Sequence, residues 1–314
     1  PLMSHDLVDL ITTKHDTRNK KRKLNGNEKF WLIFRYVSLG FIWFLVVMPI
    51  YVMVINSLKG VKNVYLTNAF KLPEKLDFSA WSVAWSGTNR NSPGGNFFPH
   101  GLSDSMTRTL LFVIQSAIIS AIIGSINGYV FAKWKFKGSN FVFTMFLFGM
   151  FIPYQAVMIP LVRVATNIGI NKSIYVLVFA HIIYGIPICT LIFRNYYEGI
   201  PNELIEAGRV DKASMIRIYR SIILPLSAPA FVVVIIWQFT SAWNDFLFAI
   251  FLTGGSPKLS VATTALNFIT GSSNQVYYGV NMTASLIVSL PTLIVYIFLG
   301  RYFLRGLLSG SLKG

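Results

Sequence analysis

Six stretches of the chain run for twenty or more residues without a charge: 36–58, 109–132, 138–162, 173–193, 221–244 and 259–300. Each offers about 20 apolar residues, enough for a helix to cross roughly 30 Å of hydrocarbon. None alternates strictly between apolar and polar positions. Backbone groups in a bilayer must be satisfied within the segment, so these stretches predict helices and not the strands of a barrel. The last stretch is mixed, because 267–281 is rich in Gly, Ser, Asn and Gln and leaves only 282–300 to span. The pattern predicts an all-α integral membrane fold with six transmembrane helices, over about 31–58, 105–132, 139–163, 173–196, 226–252 and 281–304. Ser120, Gly124 and Gly128, four apart in the second span, predict a close helix contact. Pro153 and Pro160 interrupt hydrogen bonding in the third, which suits a bend beside a cavity and equally suits plain packing.

Composition agrees with a membrane class: 54% of the 314 residues are hydrophobic, 13% are charged, and mean hydropathy is +0.55. A soluble domain carries about 25% charged residues, so an ordinary water-soluble enzyme is excluded. The formal charge of +16 invites a nucleic-acid reading that the apolar content defeats. With a single cysteine, Cys189, the chain can form neither an internal disulfide nor a Cys-rich metal or redox centre. No His-Glu-x-x-His pair, nucleophile elbow or phosphate-binding Gly-rich loop is present. Catalysis and an energy source are therefore not expected in this chain, nor any cofactor or metal.

Basic residues give the orientation. With the N-terminus in the cytoplasm, 19 Lys and Arg fall on the inner side and 9 on the outer, so both termini are predicted inside. The run Lys20, Lys21, Arg22, Lys23 in the basic tail 1–30 then serves as a topology anchor. The first span is too long for a removed signal peptide. Two connections stand out: an extracytoplasmic loop over 59–104 with Trp81 and Trp85, and a loop over 199–225 that concentrates charges of both signs. In the latter, Pro201, Asn202 and Glu203 read as a helix start, with Ala207 and Gly208 together on one side of the first helix. A second short helix follows from Ala213, and Leu224, Pro225 and Leu226 are expected to stop it.

Residues 200–229 resemble the Glu-Ala-Ala loop of ABC importer permeases, in which Glu-Ala-Ala is followed by three residues, Gly, nine residues, Ile, one residue and Leu-Pro. Glu206, Ala207, Asp211, Ala213, Ile222, Leu224 and Pro225 fall in register. Gly208 replaces the second alanine, and Lys212 replaces the usual glycine, which puts the family's left-handed turn in doubt. Phe193, Arg194 and Asn195, the segment 153–161, Asn167, Gly169, the run Trp243, Asn244, Asp245, Phe246 and the end 306–314 are similar to the maltose-type, sugar-importing branch.

The resemblance implies a permease domain over 31–314 in a bacterial or archaeal cytoplasmic membrane. Its partners would be a second homologous permease, an ABC ATPase dimer that binds ATP and Mg, and an extracytoplasmic solute-binding protein. It implies that loop 199–225 couples to the ATPase, with Glu206 on an ATPase arginine, Ala207 and Gly208 seated deep, and Arg209 and Arg217 at the rim. Glu203, Asp211, Lys212, Ala213, Leu224 and Pro225 complete that loop. Ser309, Gly310, Ser311, Leu312, Lys313 and Gly314 match the tail that reaches between the ATPase subunits, where composition alone gives a frayed end. The polar stretch 253–281, with Gly254, Gly255, Ser256, Asn267 and Gly271, corresponds to the loop lowered into the binding protein's cleft, and its Gly-rich composition suits a mobile probe.

Asp245 is a carboxylate inside a span, which faces a cavity or a partner or is hydrogen-bonded near the outer surface. Tyr154, Gln155, His181, Tyr184, Trp237 and Asn244 suit a sugar route by stacking and hydrogen bonding, and packing alone also produces such a scatter. In the maltose-type pair the partner permease supplies most sugar contacts. The basic outer segments suit an acidic oligosaccharide and equally suit adhesion to the membrane surface. Neutral oligosaccharides and glycerol phosphodiesters stay open, while a secondary transporter would need more charges at midplane than Asp245.

Overall fold

The computed structural model describes residues 25–61, 68–87, 101–271 and 277–311, with 301–311 as backbone alone. The described residues are mostly helical and contain no strand, only an isolated bridge between Lys59 and Asp77. Two units are distinguished, Pro1–Val52 and Met53–Gly314. The basic run Lys20 to Lys23 lies outside the described residues.

The first unit contains most of helix α1, Gly26–Ser57. Its start is defined by Glu28, whose Oε2 accepts from Asn25 N at 3.0 Å and so satisfies a backbone donor ahead of the first turn. Phe30, Trp31 and Phe34 stack edge-on and face-on with centroids 5.8 to 6.5 Å apart. These rings and the apolar residues that follow are exposed, as expected of a helix meant for lipid or a partner.

In the second unit, α2 (Ser79–Ser86) precedes α3 (Leu102–Lys133), the central helix. Helix α6, Tyr175–Glu198, packs along α3 with the small residues of the four-apart stripe at the seam. A Cβ on Gly124 would sit 2.4 Å from Cys189 Cβ, and one on Gly128 would sit 2.7 Å from Phe193 Cβ. Backbones approach this closely only where side chains are absent, and Cys189, 0% exposed, fills the seam as a small apolar residue.

Between these two helices the third predicted span is divided. Helices α4 (Ser139–Phe151) and α5 (Tyr154–Asn167) meet at 100° across Ile152 and Pro153. Pro153 has no N–H to continue α4 and disfavours helical backbone at Ile152, which is extended at φ −68° and ψ 120°. Pro160, by contrast, is accommodated inside α5.

The predicted fifth span, 226–252, also differs. Its helix α10 (Ala228–Trp243) has 16 residues, about 24 Å at 1.5 Å per residue, and breaks at 244–246 before α11 (Leu247–Leu252). Among the described residues, four helices are long and apolar enough to cross a membrane, or up to six if each bent pair is one span. The last, α13 (Tyr278–Ser311), is anchored to α10 where buried Trp243 donates from Nε1 to Val288 O at 2.9 Å.

The polar stretch after α11 is more ordered than its composition suggests. Gly254 and Gly255 turn the chain with φ of +65° and +66°, and α12 (Ala262–Gly271) buries Ala262, Thr264, Ala265 and Ile269. Arg108 Nε donates to Ser260 O at 2.9 Å, and Ala262 N donates to Thr109 Oγ1 at 2.7 Å. About a third of the expected mobile loop is thus a helix docked on α3 through its buried face. Of the outer loop 59–104, Lys59 is buried and donates from Nζ to Asn56 Oδ1 and Asn68 O, with burial and then Lys71 lowering its pKa.

Candidate functional site

The charged loop folds into a hairpin of α7 (Asn202–Val210) and α8 (Met215–Ile218). Helix α7 is amphipathic: Ile205 and Gly208 are buried, while Glu203, Glu206, Ala207 and Arg209 are exposed and Val210 is 81% exposed. Ala207 and Gly208 therefore do not share a face. A Cβ on Gly208 would lie 3.0 Å from Ile218 Cγ1, so this glycine brings the two hairpin helices together and is not a surface contact.

The turn between them is left-handed in spite of its side chain. Lys212 has φ 56°, Ala213 N donates to Gly208 O at 2.9 Å, and Lys212 N donates to Arg209 O at 2.9 Å. This is the Schellman pattern, with lysine where glycine usually sits. Asp211 and Lys212 are exposed and Ala213 is half-buried.

Leu224 and Pro225 do not stop the second helix. Helix α8 passes into a π-helical turn, Tyr219–Ile223, then α9 (Leu224–Leu226), and meets α10 at 77°. Pro225 offers no N–H, and Leu224 N reaches back five residues to Tyr219 O. Ser227 at the bend donates from Oγ to Ile223 O at 2.5 Å.

Buried hydroxyls lock this hairpin to the long helices. Ser125 Oγ on α3 shares hydrogen bonds with Tyr197 OH at 2.6 Å and Tyr219 OH at 2.8 Å, and Ser227 Oγ, whose one proton goes to Ile223 O, is hydrogen-bonded to Tyr197 OH at 2.9 Å. Tyr196 OH donates to Leu226 O at 2.7 Å, and Tyr129 OH to Met215 O at 3.3 Å. At the hairpin's entry, Lys133 Nζ donates to Ile200 O at 2.6 Å and Asn202 Oδ1 at 2.7 Å. Arg209 and Arg217, expected at a rim, are both exposed, and Arg209 stacks its guanidinium 4.3 Å over Trp134. None of the hydroxyl residues was singled out in the sequence, where tyrosines at a span end are indistinguishable from those of an interfacial belt.

A second site is a cavity of about 460 Å³ lined by Tyr154, His181, Tyr184, Trp237, Asn244 and Asp245. The structure thus gathers six of the seven residues suggested for a solute route. Gln155 is exposed and does not line it. Gln238, Ser241 and Phe248 line it as well. Phe248 is the hub of its aromatic wall, with centroids 5.3 Å from Tyr154, 5.2 Å from Tyr184 and 5.8 Å from His181. Gln238 Nε2 donates to His181 O at 2.8 Å, an approach that Gly185 permits, since a Cβ there would lie 2.4 Å from that nitrogen.

Asp245 begins α11: Oδ1 accepts from Phe248 N at 3.2 Å and Oδ2 from Ala249 N at 3.0 Å. These are two of the unpaired donors at a helix start, which stabilise a carboxylate. His181 Nε2 lies 3.4 Å from Asp245 Oδ2, with the side chains 6% and 10% exposed. That separation is an ion-pair contact without hydrogen-bond alignment, so the buried Nε2 has no hydrogen-bond partner.

Of the other suggested positions, Gly254, Asn267 and Gly271 are exposed and Gly255 and Ser256 are half-buried. Ser309, Gly310 and Ser311 continue the backbone of α13 as helix, and Leu312, Lys313 and Gly314 lie outside the described residues.

Residues 120–308 match the family described as "Binding-protein-dependent transport system inner membrane component". The chain is 39% identical over 225 residues to the xylose/arabinose import permease protein XacI of Haloferax volcanii, covering 66% of this chain and 73% of that protein. It is 29% identical over 289 residues to the glucose import system permease protein GlcU of Saccharolobus solfataricus, covering 89% and 95%. Among solved structures, a bacterial ABC transporter involved in the import of the acidic polysaccharide alginate has a chain of similar fold. The TM-score is 0.75 at 20% identity, with 90% of this chain and all of that one covered.

Proposed function

The chain belongs to the family of binding-protein-dependent transport system inner membrane components, and on that premise we propose that it is one of two homologous permeases of an ATP-driven carbohydrate importer. Membership makes it a membrane subunit of an ABC transporter that works with a solute-binding protein. The finer reading places six spans in the membrane, each bent helix pair counted as one, with both termini in the cytoplasm and ATP and Mg on the separate ATPase. The sugar importers among its relatives support carbohydrate as the cargo.

The observation that carries the coupling role is the hairpin's two-sidedness. Glu206 projects from an exposed face, while the opposite face is tied by buried hydroxyls to α3, α6 and α10. A displacement applied at Glu206 would then be passed through the hairpin to three helices. Closure of the ATPase dimer would push the hairpin and rock the permeases outward, so that the docked binding protein releases its sugar into the cavity. Ser309 to Gly314 would extend toward the ATPases, and the exposed Gly254, Asn267 and Gly271 toward the binding protein.

The test is Glu206→Lys in the complete transporter reconstituted in proteoliposomes. The variant is expected to assemble at least in part and to lose the ATP hydrolysis stimulated by binding protein and sugar. Full stimulation in the variant would remove Glu206 from the coupling contact.

A further inference from the structure

The chemistry of the cavity lining restricts what passes through it. Trp237 is 48% exposed and Asn244 and Ser241 are exposed at the same mouth, so an open aromatic face adjoins amide, hydroxyl and carboxylate groups. Such a pairing suits a ring with C–H patches on its faces and hydroxyls on its edge. The lining contains no Lys or Arg among the described residues. Its ionisable groups include one carboxylate and one imidazole, and these two face each other at 3.4 Å. With the imidazole set against the carboxylate, the pair presents no uncompensated cation to an anionic ligand.

We infer that this cavity is a binding site, within this chain itself, for a neutral polyhydroxylated ring, and that Asp245, held by His181 and the start of α11, rejects anionic sugars. The inference rests on the carbohydrate-importer reading and adds to it a solute class and a location. Trp237 is the stacking platform, Asn244 and Ser241 are the hydroxyl partners, and Asp245 is the specificity determinant. His181, buried at 5% exposure, is a positioning residue behind it.

The complete transporter in nanodiscs, without its binding protein, is the system to test, by saturation-transfer NMR with glucose, melibiose and raffinose against glucuronate. Neutral sugars are expected to receive saturation and glucuronate not. Trp237→Ala should weaken the neutral signal by about tenfold, and because that side chain is half-exposed the variant should keep its melting temperature. Asp245→Asn, which retains an oxygen for the helix start, should admit glucuronate. Glucuronate binding as strongly as glucose in the wild type would overturn the inference. So would silence from every sugar in a complex whose ATP hydrolysis still responds to its binding protein, an outcome that leaves the importer reading standing. Loss of that response in the wild type would instead defeat the importer reading and the inference with it.

Discussion

At the scale of single residues, Lys212 holds a backbone conformation that costs an L-residue roughly 1–2 kcal/mol, and the hydrogen bonds of Ala213 and Lys212 to the preceding turn hold it there. Lys212→Gly should therefore stabilise the hairpin by up to about 1 kcal/mol, seen as a modest rise in the transporter's melting temperature with transport retained. An unchanged or lower melting temperature would mean that the lysine side chain makes compensating contacts in the assembly. The sequence raised the doubt at this position but could not resolve it, because local propensity and the surrounding turn bonds oppose each other and only the folded geometry says which prevails. Gly208 was legible as small but not as inward-facing, since two adjacent small residues on a helix lie about 100° apart and one of them must turn away. Asp245 was the reverse case: the cost of a carboxylate in an apolar run marked it at once, and the structure added its helix-start bonds and its imidazole neighbour.

At the scale of elements, the joint of Ser125, Tyr197, Tyr219 and Ser227 draws on four different segments, so its loss should be felt in communication between them more than in any one helix. Tyr197→Phe removes one hydroxyl and leaves buried Ser125 and Ser227 oxygens with one fewer partner, a cost of about 1–3 kcal/mol. The expected outcome is a transporter that still assembles and hydrolyses ATP at its basal rate but transports less per ATP, measured as the ratio of sugar uptake to phosphate release. An unaltered ratio would make the joint merely structural. The apolar runs located the long helices well because hydropathy reports directly on burial in lipid. Pro153 marked the bend that follows Ile152, whereas the break at 244–246 was not read, because Asn244 and Asp245 were taken as polar positions within one span. Nor did composition distinguish α12 from a loop: three of its four buried residues, Ala262, Thr264 and Ala265, are small and only Ile269 is large, so its core-facing stripe is weak.

At the scale of the whole molecule, orientation is open to a direct chemical test. Cys189, the sole thiol, is 0% exposed and should resist maleimides until the protein is denatured, which makes the natural chain a clean background for introduced cysteines. Lys258→Cys and Lys137→Cys, both at exposed positions, should then label differently in intact cells. A membrane-impermeant maleimide is expected to reach the former from outside and the latter only after permeabilisation. The opposite pattern would invert the topology and place the hairpin away from any cytoplasmic ATPase.

The bend at Ser227 sets a mechanical ratio. The hairpin side, Met215–Leu226, is about 18 Å long at 1.5 Å per residue, whereas α10 extends about 24 Å beyond the corner and carries Trp237 and Asn244 in its far half. Turning the corner by about 10° would sweep that end by about 4 Å, more than the width of a hydrogen bond. Joined at 77°, the two arms work as a bell crank: a thrust on the shorter arm emerges at the longer arm in another direction and enlarged by about a third. An ATPase stroke of a few ångströms would then suffice to carry the cavity wall away from its cargo.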